Sequence, residues 1–136
     1  MAERNIRVVV KGRVVGSVLK SDFSISFLGG IDPKTGMISD EAHPLFGKSV
    51  RGRVFAIPFS KGSTVGSYVI YSMKKADMAP VAILSKQFDM ITATGCVLAR
   101  IPLMIVDEET WDAIHDGELL EVDANAGTIS RLKRLP

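Results

Sequence analysis

The chain has 136 residues, 46% of them hydrophobic and 24% charged, which suits one domain with a buried core and is short for two. Seventeen basic and fifteen acidic residues leave a formal charge of +2, too small a bias to point to nucleic acid. The single cysteine, Cys96, excludes an intrachain disulfide and a cluster held by cysteines of this chain alone.

The first residues, Met1-Ala2-Glu3-Arg4, lead into only a short apolar run at residues 8–10, unlike a secretory leader. No stretch is apolar for long enough to form a membrane span, so a cytoplasmic location is the expectation. The β-branched run at residues 6–10 predicts a strand, and Val14, Val15, Val18 and Leu19 predict a second one interrupted by Gly16. Phe23, Ile25 and Phe27 alternate with serines and predict a third strand. Residues 29–36, with Gly29, Gly30, Asp32, Pro33, Lys34 and Gly36, predict a loop suited to binding, and residues 37–47 an irregular segment. Residues 50–59 are apolar and extended, with Arg51 and Arg53 on one face.

Residues 60–67 predict a glycine-containing loop that opens a helix. Val65, Val69 and Met73 mark its apolar face, Ser63 or Thr64 its N-cap, and Lys74 and Lys75 its C-terminal end. Residues 80–84 and 102–106 predict buried strands, and residues 89–99 a short helix with Gly95 closely packed. Residues 108–114 predict a helix around Trp111. Residues 119–122 and 128–132 predict two strands joined by a turn. The local excess of Arg131, Lys133 and Arg134 reads as a solvated tail, with a partner contact as the alternative. There are no repeats or linkers, so residues 1–136 form a single domain in this reading. Helices between strands in the middle and strands at both ends fit an α+β or layered β/β/α arrangement.

Chemistry concentrates in two places. A glycine loop that opens a helix presents backbone N–H groups, and with the helix dipole it attracts an anion. Lys61 adds positive charge there, and Ser63 places a hydroxyl where a base or acceptor would be favoured. An ordinary N-cap, with Gly62 and Gly66 placed for packing, is the alternative. The second place is the loop at residues 29–36, where backbone N–H groups and Lys34 could take a phosphate or carboxylate; a solvated turn is the alternative. His43 is a candidate general acid or a structural histidine, and Cys96 reads as a buried apolar residue rather than a reactive thiol. The loop is not a Walker A motif, and no Ser–His–Asp order or dinucleotide fingerprint stands out.

Two segments carry a resemblance. The first is Ile25-Ser26-Phe27-Leu28-Gly29-Gly30-Ile31-Asp32, continuing through Thr35-Gly36 to His43-Pro44-Leu45-Phe46-Gly47. The second is Lys61-Gly62-Ser63-Thr64-Val65-Gly66-Ser67-Tyr68, followed by Ala79-Pro80-Val81 and Thr92-Ala93-Thr94-Gly95. Together they resemble the aconitase X swivel domain in its free-standing form, over nearly the whole chain. The resemblance implies a swivelling β/β/α fold and a large catalytic partner subunit that carries a [4Fe-4S] cluster, with no cofactor in this chain. It implies dehydration, with Ser63 as the base that removes a proton next to a carboxylate and the partner's iron accepting the departing hydroxyl. Gly29, Gly30, Lys61, Gly62 and Thr64 are the implied substrate-binding residues. The implied substrate is a small phosphorylated hydroxy acid, mevalonate 5-phosphate, dehydrated to trans-anhydromevalonate 5-phosphate, with hydroxyproline as the alternative from another branch. The family often has arginine where this chain has Lys61, which supplies charge without a planar fork. No nucleic acid or membrane partner is implied.

Two readings outside this class are set beside it. The segment at residues 117–129 also resembles mobile domains of phosphoenolpyruvate-using enzymes, but His43 and His115 lack the glycine- and threonine-rich setting of a phosphorylated histidine. A non-catalytic binding or scaffold module is the other.

Overall fold

The computed structural model describes residues 5–132. In chain order it contains β1 (Arg7–Val10), β2 (Arg13–Lys20), β3 (Ile25–Ser26), α1 (Phe27–Gly30), β4 (Val54–Ile57), β5 (Ser60–Lys61) and α2 (Gly66–Lys75). There follow β6 (Ala82–Ser85), α3 (Met90–Ala99), β7 (Leu103–Ile105), α4 (Glu108–Ala113), β8 (Leu119–Asp123) and β9 (Thr128–Arg131). Seven strands form one mixed sheet in the order β1-β7-β6-β4-β2-β8-β9, and β3 and β5 form a separate parallel pair. The fold is α+β.

The centre of the sheet is parallel: β2 pairs with β4, β4 with β6 and β6 with β7. Its inner strands β4 and β6 are buried along their whole length, which explains their apolar runs. In β4, Phe55 and Ile57 join a core beneath α2 and α3, while Val54 and Ala56 join a second core around Trp111 of α4 and Leu120 and Val122 of β8. Period-two side-chain alternation thus feeds two cores from one tetrapeptide. β2 bridges the layers, because residues 13–17 pair with β8 and residues 18–20 with β4.

Gly95 gives α3 its close approach to α2; a Cβ there would run into Ile70. Asp89 caps α3 and Asp107 caps α4, each accepting the N–H three residues on. No helix among the described residues is long and apolar enough to cross a membrane.

Several expected boundaries move. The strand expected through Phe27 ends at Ser26, because Leu28 (ψ 115°) and Gly29 (φ 86°) break the turn that follows. The extended segment at residues 50–59 narrows to β4, and Arg53 is turned inward to the carbonyls of Ser17 (3.1 Å) and Val18 (2.8 Å). Val65 lies on the exposed side rather than with Val69 and Met73; Gly66, Ser67, Val69, Ile70 and Met73 form the buried face of α2. Arg131 is no free tail residue, because it belongs to β9 and pairs with buried Glu118 at 2.5 Å. Lys133 and Arg134 lie outside the described residues.

Candidate active site

The two glycine-rich segments singled out in the sequence meet at one end of the sheet. The short parallel pairing of Ile25 with Ser60 and Ser26 with Lys61 brings them side by side. Gly62 adopts φ +89° and lies so close to Ser26 that a Cβ would collide with the Ser26 hydroxyl. That hydroxyl is already committed, donating to the Leu28 carbonyl at 2.9 Å. A Cβ on Gly66 would come within 3.3 Å of Phe27 Cβ, so the start of α2 rests on the same turn. Gly29, at φ +86°, has open space where a side chain would be, and only glycine combines that conformation with an accessible backbone.

Ser63 is exposed at the tip of this arrangement. It does not cap α2 in the expected way. The helix begins at Gly66, its N-cap position is Val65, and no side chain caps it. Instead Ser63 Oγ accepts the Val65 N–H at 3.2 Å in a local turn. A run of tight turns leads into the helix: the N–H of Gly66 donates to Ser63, that of Ser67 to Thr64 and that of Tyr68 to Val65. The N–H groups of Ser63 and Thr64 have no acceptor among the described residues. They stand beside Lys61, which is exposed and has no ionic partner among those residues. A hydroxyl that accepts one hydrogen bond next to two open N–H donors and a cation is suited to carry or contact negative charge.

The other candidates separate from this point. Ser67 is buried and its hydroxyl donates to the Ile91 carbonyl at 2.8 Å. Gly30 is buried, and a Cβ there would sit 3.1 Å from Ile25 Cγ1, so it serves packing. The expected binding loop divides at this glycine. Asp32 closes a turn by accepting the Lys34 N–H at 2.9 Å, and Gly36 packs against the Met78 carbonyl just beyond the far end of α2. Lys34 and Asp32 therefore do not join Ser63. His43 is buried, accepts the Leu45 N–H on Nδ1 (3.1 Å) and reaches the Phe23 carbonyl with Nε2 (3.4 Å), a structural role. Burial, reinforced by the negative charge of Asp89, pushes the Cys96 thiol far above its ordinary range and leaves it protonated.

Two features of the site escaped the sequence. Asp89 fixes the loop from below: it accepts the Ser60 N–H at 3.0 Å, and Thr92 Oγ1 donates to it at 3.0 Å. Its one hint was an aspartate before an apolar helix. Beside Ser63 lies an apolar groove of about 240 Å³ lined by Thr64, Tyr68, Met90, Ile91, Thr94 and Leu98. Tyr68 and Met90 are more than 60% exposed and form an apolar surface at this groove. Helical periodicity could have flagged Tyr68, since it falls opposite the buried face of α2.

No group of three or more His, Cys, Asp or Glu residues among the described ones could hold a metal ion. The residues present therefore do not fit an iron–sulfur cluster.

Comparison with known proteins places this architecture. A family model described as the aconitase X swivel domain matches residues 3–131. The phosphomevalonate dehydratase small subunit of Methanothermobacter thermautotrophicus is 46% identical over 93% of this chain and 98% of its own length. That of Methanosarcina acetivorans is 41% identical over 93% and 89%. A chain in the crystal structure of Thermococcus kodakaraensis aconitase X, holo-form, superposes with a TM-score of 0.88 at 39% identity, covering 96% of this chain and 98% of that one.

Proposed function

The chain belongs to the aconitase X swivel-domain family, and from that premise we propose that it is the small subunit of a phosphomevalonate dehydratase, a two-subunit hydro-lyase. The observation that carries this reading is the agreement of several archaeal small subunits of that name with nearly the full length of this chain at 36–46% identity. Their names favour this substrate over hydroxyproline. A catalytic subunit also fits the exposed Ser63 loop better than a scaffold would.

In this reading the enzyme removes water from (R)-5-phosphomevalonate to give trans-anhydromevalonate 5-phosphate. Ser63 is the base: its ionised Oγ takes the proton from the carbon beside the substrate carboxylate and becomes the neutral hydroxyl, while the C–O bond on the adjacent carbon breaks and its oxygen leaves as hydroxide on the side of the large subunit. The Val65 N–H at 3.2 Å and the charge of Lys61 lower the energy of negative charge on that oxygen. The open N–H groups of Ser63 and Thr64 receive an anionic group of the substrate, Gly29 lets it approach the backbone, and Gly62 seats the loop against Ser26. We assign an iron–sulfur cluster to the large subunit. The apolar groove beside Ser63 supports docking of that subunit at the edge of the site, where it would exclude water from the reaction.

The test is reconstitution. The chain mixed with its large subunit should dehydrate (R)-5-phosphomevalonate, while the chain alone should be inactive and free of stoichiometric iron and sulfide. A complex that binds both subunits but turns over only hydroxyproline would reject the substrate assignment. A cluster on the isolated chain would reject the division of labour.

A further inference from the structure

We propose that the end of the domain opposite Ser63 carries a second anion site, one that takes a small molecule bearing a phosphate or diphosphate group. A cavity of about 360 Å³ opens there. Lys11, Arg13, Arg51, Lys74 and Arg100 surround it, with Asp77 as the single carboxylate. A chain of formal charge +2 thus gathers five cations around one concavity. Like charges repel, so such convergence raises the local potential at a cost that an anionic occupant relieves.

The cations come from separate parts of the fold. Lys11 and Arg13 flank the β1–β2 turn, Arg51 precedes β4, Lys74 is in the last turn of α2, and Arg100 is the C-cap of α3. Complementing helix dipoles accounts for Lys74 and Arg100. It does not account for the other three. Arg13 pairs with Glu121 at 3.0 Å and Arg51 with Asp77 at 3.4 Å, both at the exposed surface. Lys11, Lys74 and Arg100 have no ionic partner among the described residues.

Backbone conformation points to the same place. Among the described residues only two non-glycines have positive φ, Asp77 at 58° and Arg100 at 56°, and both line this cavity. Helix ends ordinarily give such positions to glycine. Here the strained positions hold charged side chains at the rim. Val14, Pro80, Val81 and Pro102 add apolar surface to the lining. Basic groups beside apolar surface suit an anionic head with a short carbon body. A concave site of this size fits a small molecule better than the surface of a macromolecule.

Ser63 precedes the start of α2, and Lys74 lies at its end. Ten residues separate the two sites by about 15 Å of helix. The second site is therefore independent of the assignment of Ser63, and its test needs no turnover.

The full chain, isotopically labelled, is titrated with inorganic pyrophosphate at physiological salt and followed by amide NMR shifts. Saturable shifts are expected at Gly12, Gly52, Lys74 and Arg100. The double variant Lys74→Gln/Arg100→Asn removes two charges while keeping residues that tolerate a helix end and positive φ. It should weaken binding by about tenfold or more, whereas Ser63→Ala should leave it unchanged. Tighter binding of a short alkyl diphosphate would assign the occupant as an organic ester, and equal affinity would assign the inorganic ion; either supports the site. The proposal fails if shifts do not saturate, if they centre on residues 61–67, or if the double variant binds as the parent does. It also fails if polyglutamate binds here and pyrophosphate does not, which would reassign the surface to a protein partner.

Discussion

The Ser60 hydroxyl donates to Asp89 Oδ1 at 2.5 Å, and this bond links the strand that leads to Ser63 with the first turn of α3. The same carboxylate caps α3 through the Thr92 N–H at 2.8 Å. One side chain therefore holds both a helix end and the loop that carries Ser63. Asp89→Ala should cost about 1–3 kcal/mol, combining a lost N-cap with hydroxyls left unpaired in a buried setting. In the reconstituted enzyme kcat should fall and KM rise together, because the loop that loses its anchor carries both Ser63 and the N–H groups proposed to hold the substrate. Asp89→Asn keeps a good cap and should be milder on both counts. Urea melts and steady-state kinetics check the pair of variants.

Ser63 and Ser67 make opposite predictions. Ser63→Ala removes an exposed hydroxyl whose one described bond is a local turn contact, so stability should hardly change. Turnover in the complex should drop by about two to four orders of magnitude, the usual cost of a lost base. Ser67→Ala removes a buried hydrogen bond to the Ile91 carbonyl and should cost about 1 kcal/mol in stability with turnover retained. If Ser67→Ala is the more damaging to turnover, the base is misassigned.

Much of the fold was legible because its signals are local. The apolar run of β4 and the four-residue spacing of Val69 and Met73 each reflect burial on a fixed side of an element. Gly95 was read correctly as a close-packing residue. Boundaries at the site were less legible. Nothing in Phe23-Ser24-Ile25-Ser26-Phe27 says that the strand stops at Ser26, because the break arises from Gly29 and from the pairing with β5, a partner more than thirty residues away. The N-cap expected at Ser63 moved to Val65 for a related reason: turns at residues 63–65 precede the helix, and a Ser-Thr pair suits both. The cationic cavity was invisible, since its residues come from distant parts of the sequence.

Gly30 and Gly29 are neighbours with different demands. Gly30 is buried against Ile25, so Gly30→Leu should overpack the core and cost about 1–3 kcal/mol. Its loss of turnover should then follow its loss of folded protein. Gly29→Ala meets open space but must hold φ near +86°, a backbone penalty of about 1–2 kcal/mol. Thermal melts beside activity per folded complex separate the two effects.

Glu118 makes part of the stability depend on pH. Its burial alone would raise the carboxyl pKa. The hydrogen bond from Arg131, then the His115 N–H at 2.8 Å, then the positive charges nearby, outweigh burial and hold it below the usual carboxylate range. With the folded pKa below the unfolded one, the carboxylate's contribution is fully present above the ordinary carboxylate pKa. It is lost as pH falls through the folded value. Denaturant melts should show the parent losing stability steadily below about pH 4. Glu118→Gln should be less stable at neutral pH and flatter in acid. An identical acid slope in both proteins would mean that other carboxylates dominate.

Cys96 should report opening of the α2–α3 layer. It is a fully buried residue of α3, and burial together with Asp89 keeps its thiol protonated. A thiol reagent needs both access and the thiolate. In the native chain, reaction must wait for an opening that exposes the residue. For a stability of about 5 kcal/mol or more, labelling should be roughly a thousandfold slower than in denaturant. Gly95→Ala pushes α3 away from Ile70 at the adjacent position and should accelerate labelling, with the gain tracking its loss of stability. Rapid labelling of the native parent would place Cys96 in a region that opens locally, well before the sheet does. Slow labelling that Gly95→Ala leaves unchanged would mean that the helix contact does not control access. The pairing of slow parent and faster variant is the expected result, because disturbing the Gly95–Ile70 contact loosens the packing of the helix in which Cys96 is buried.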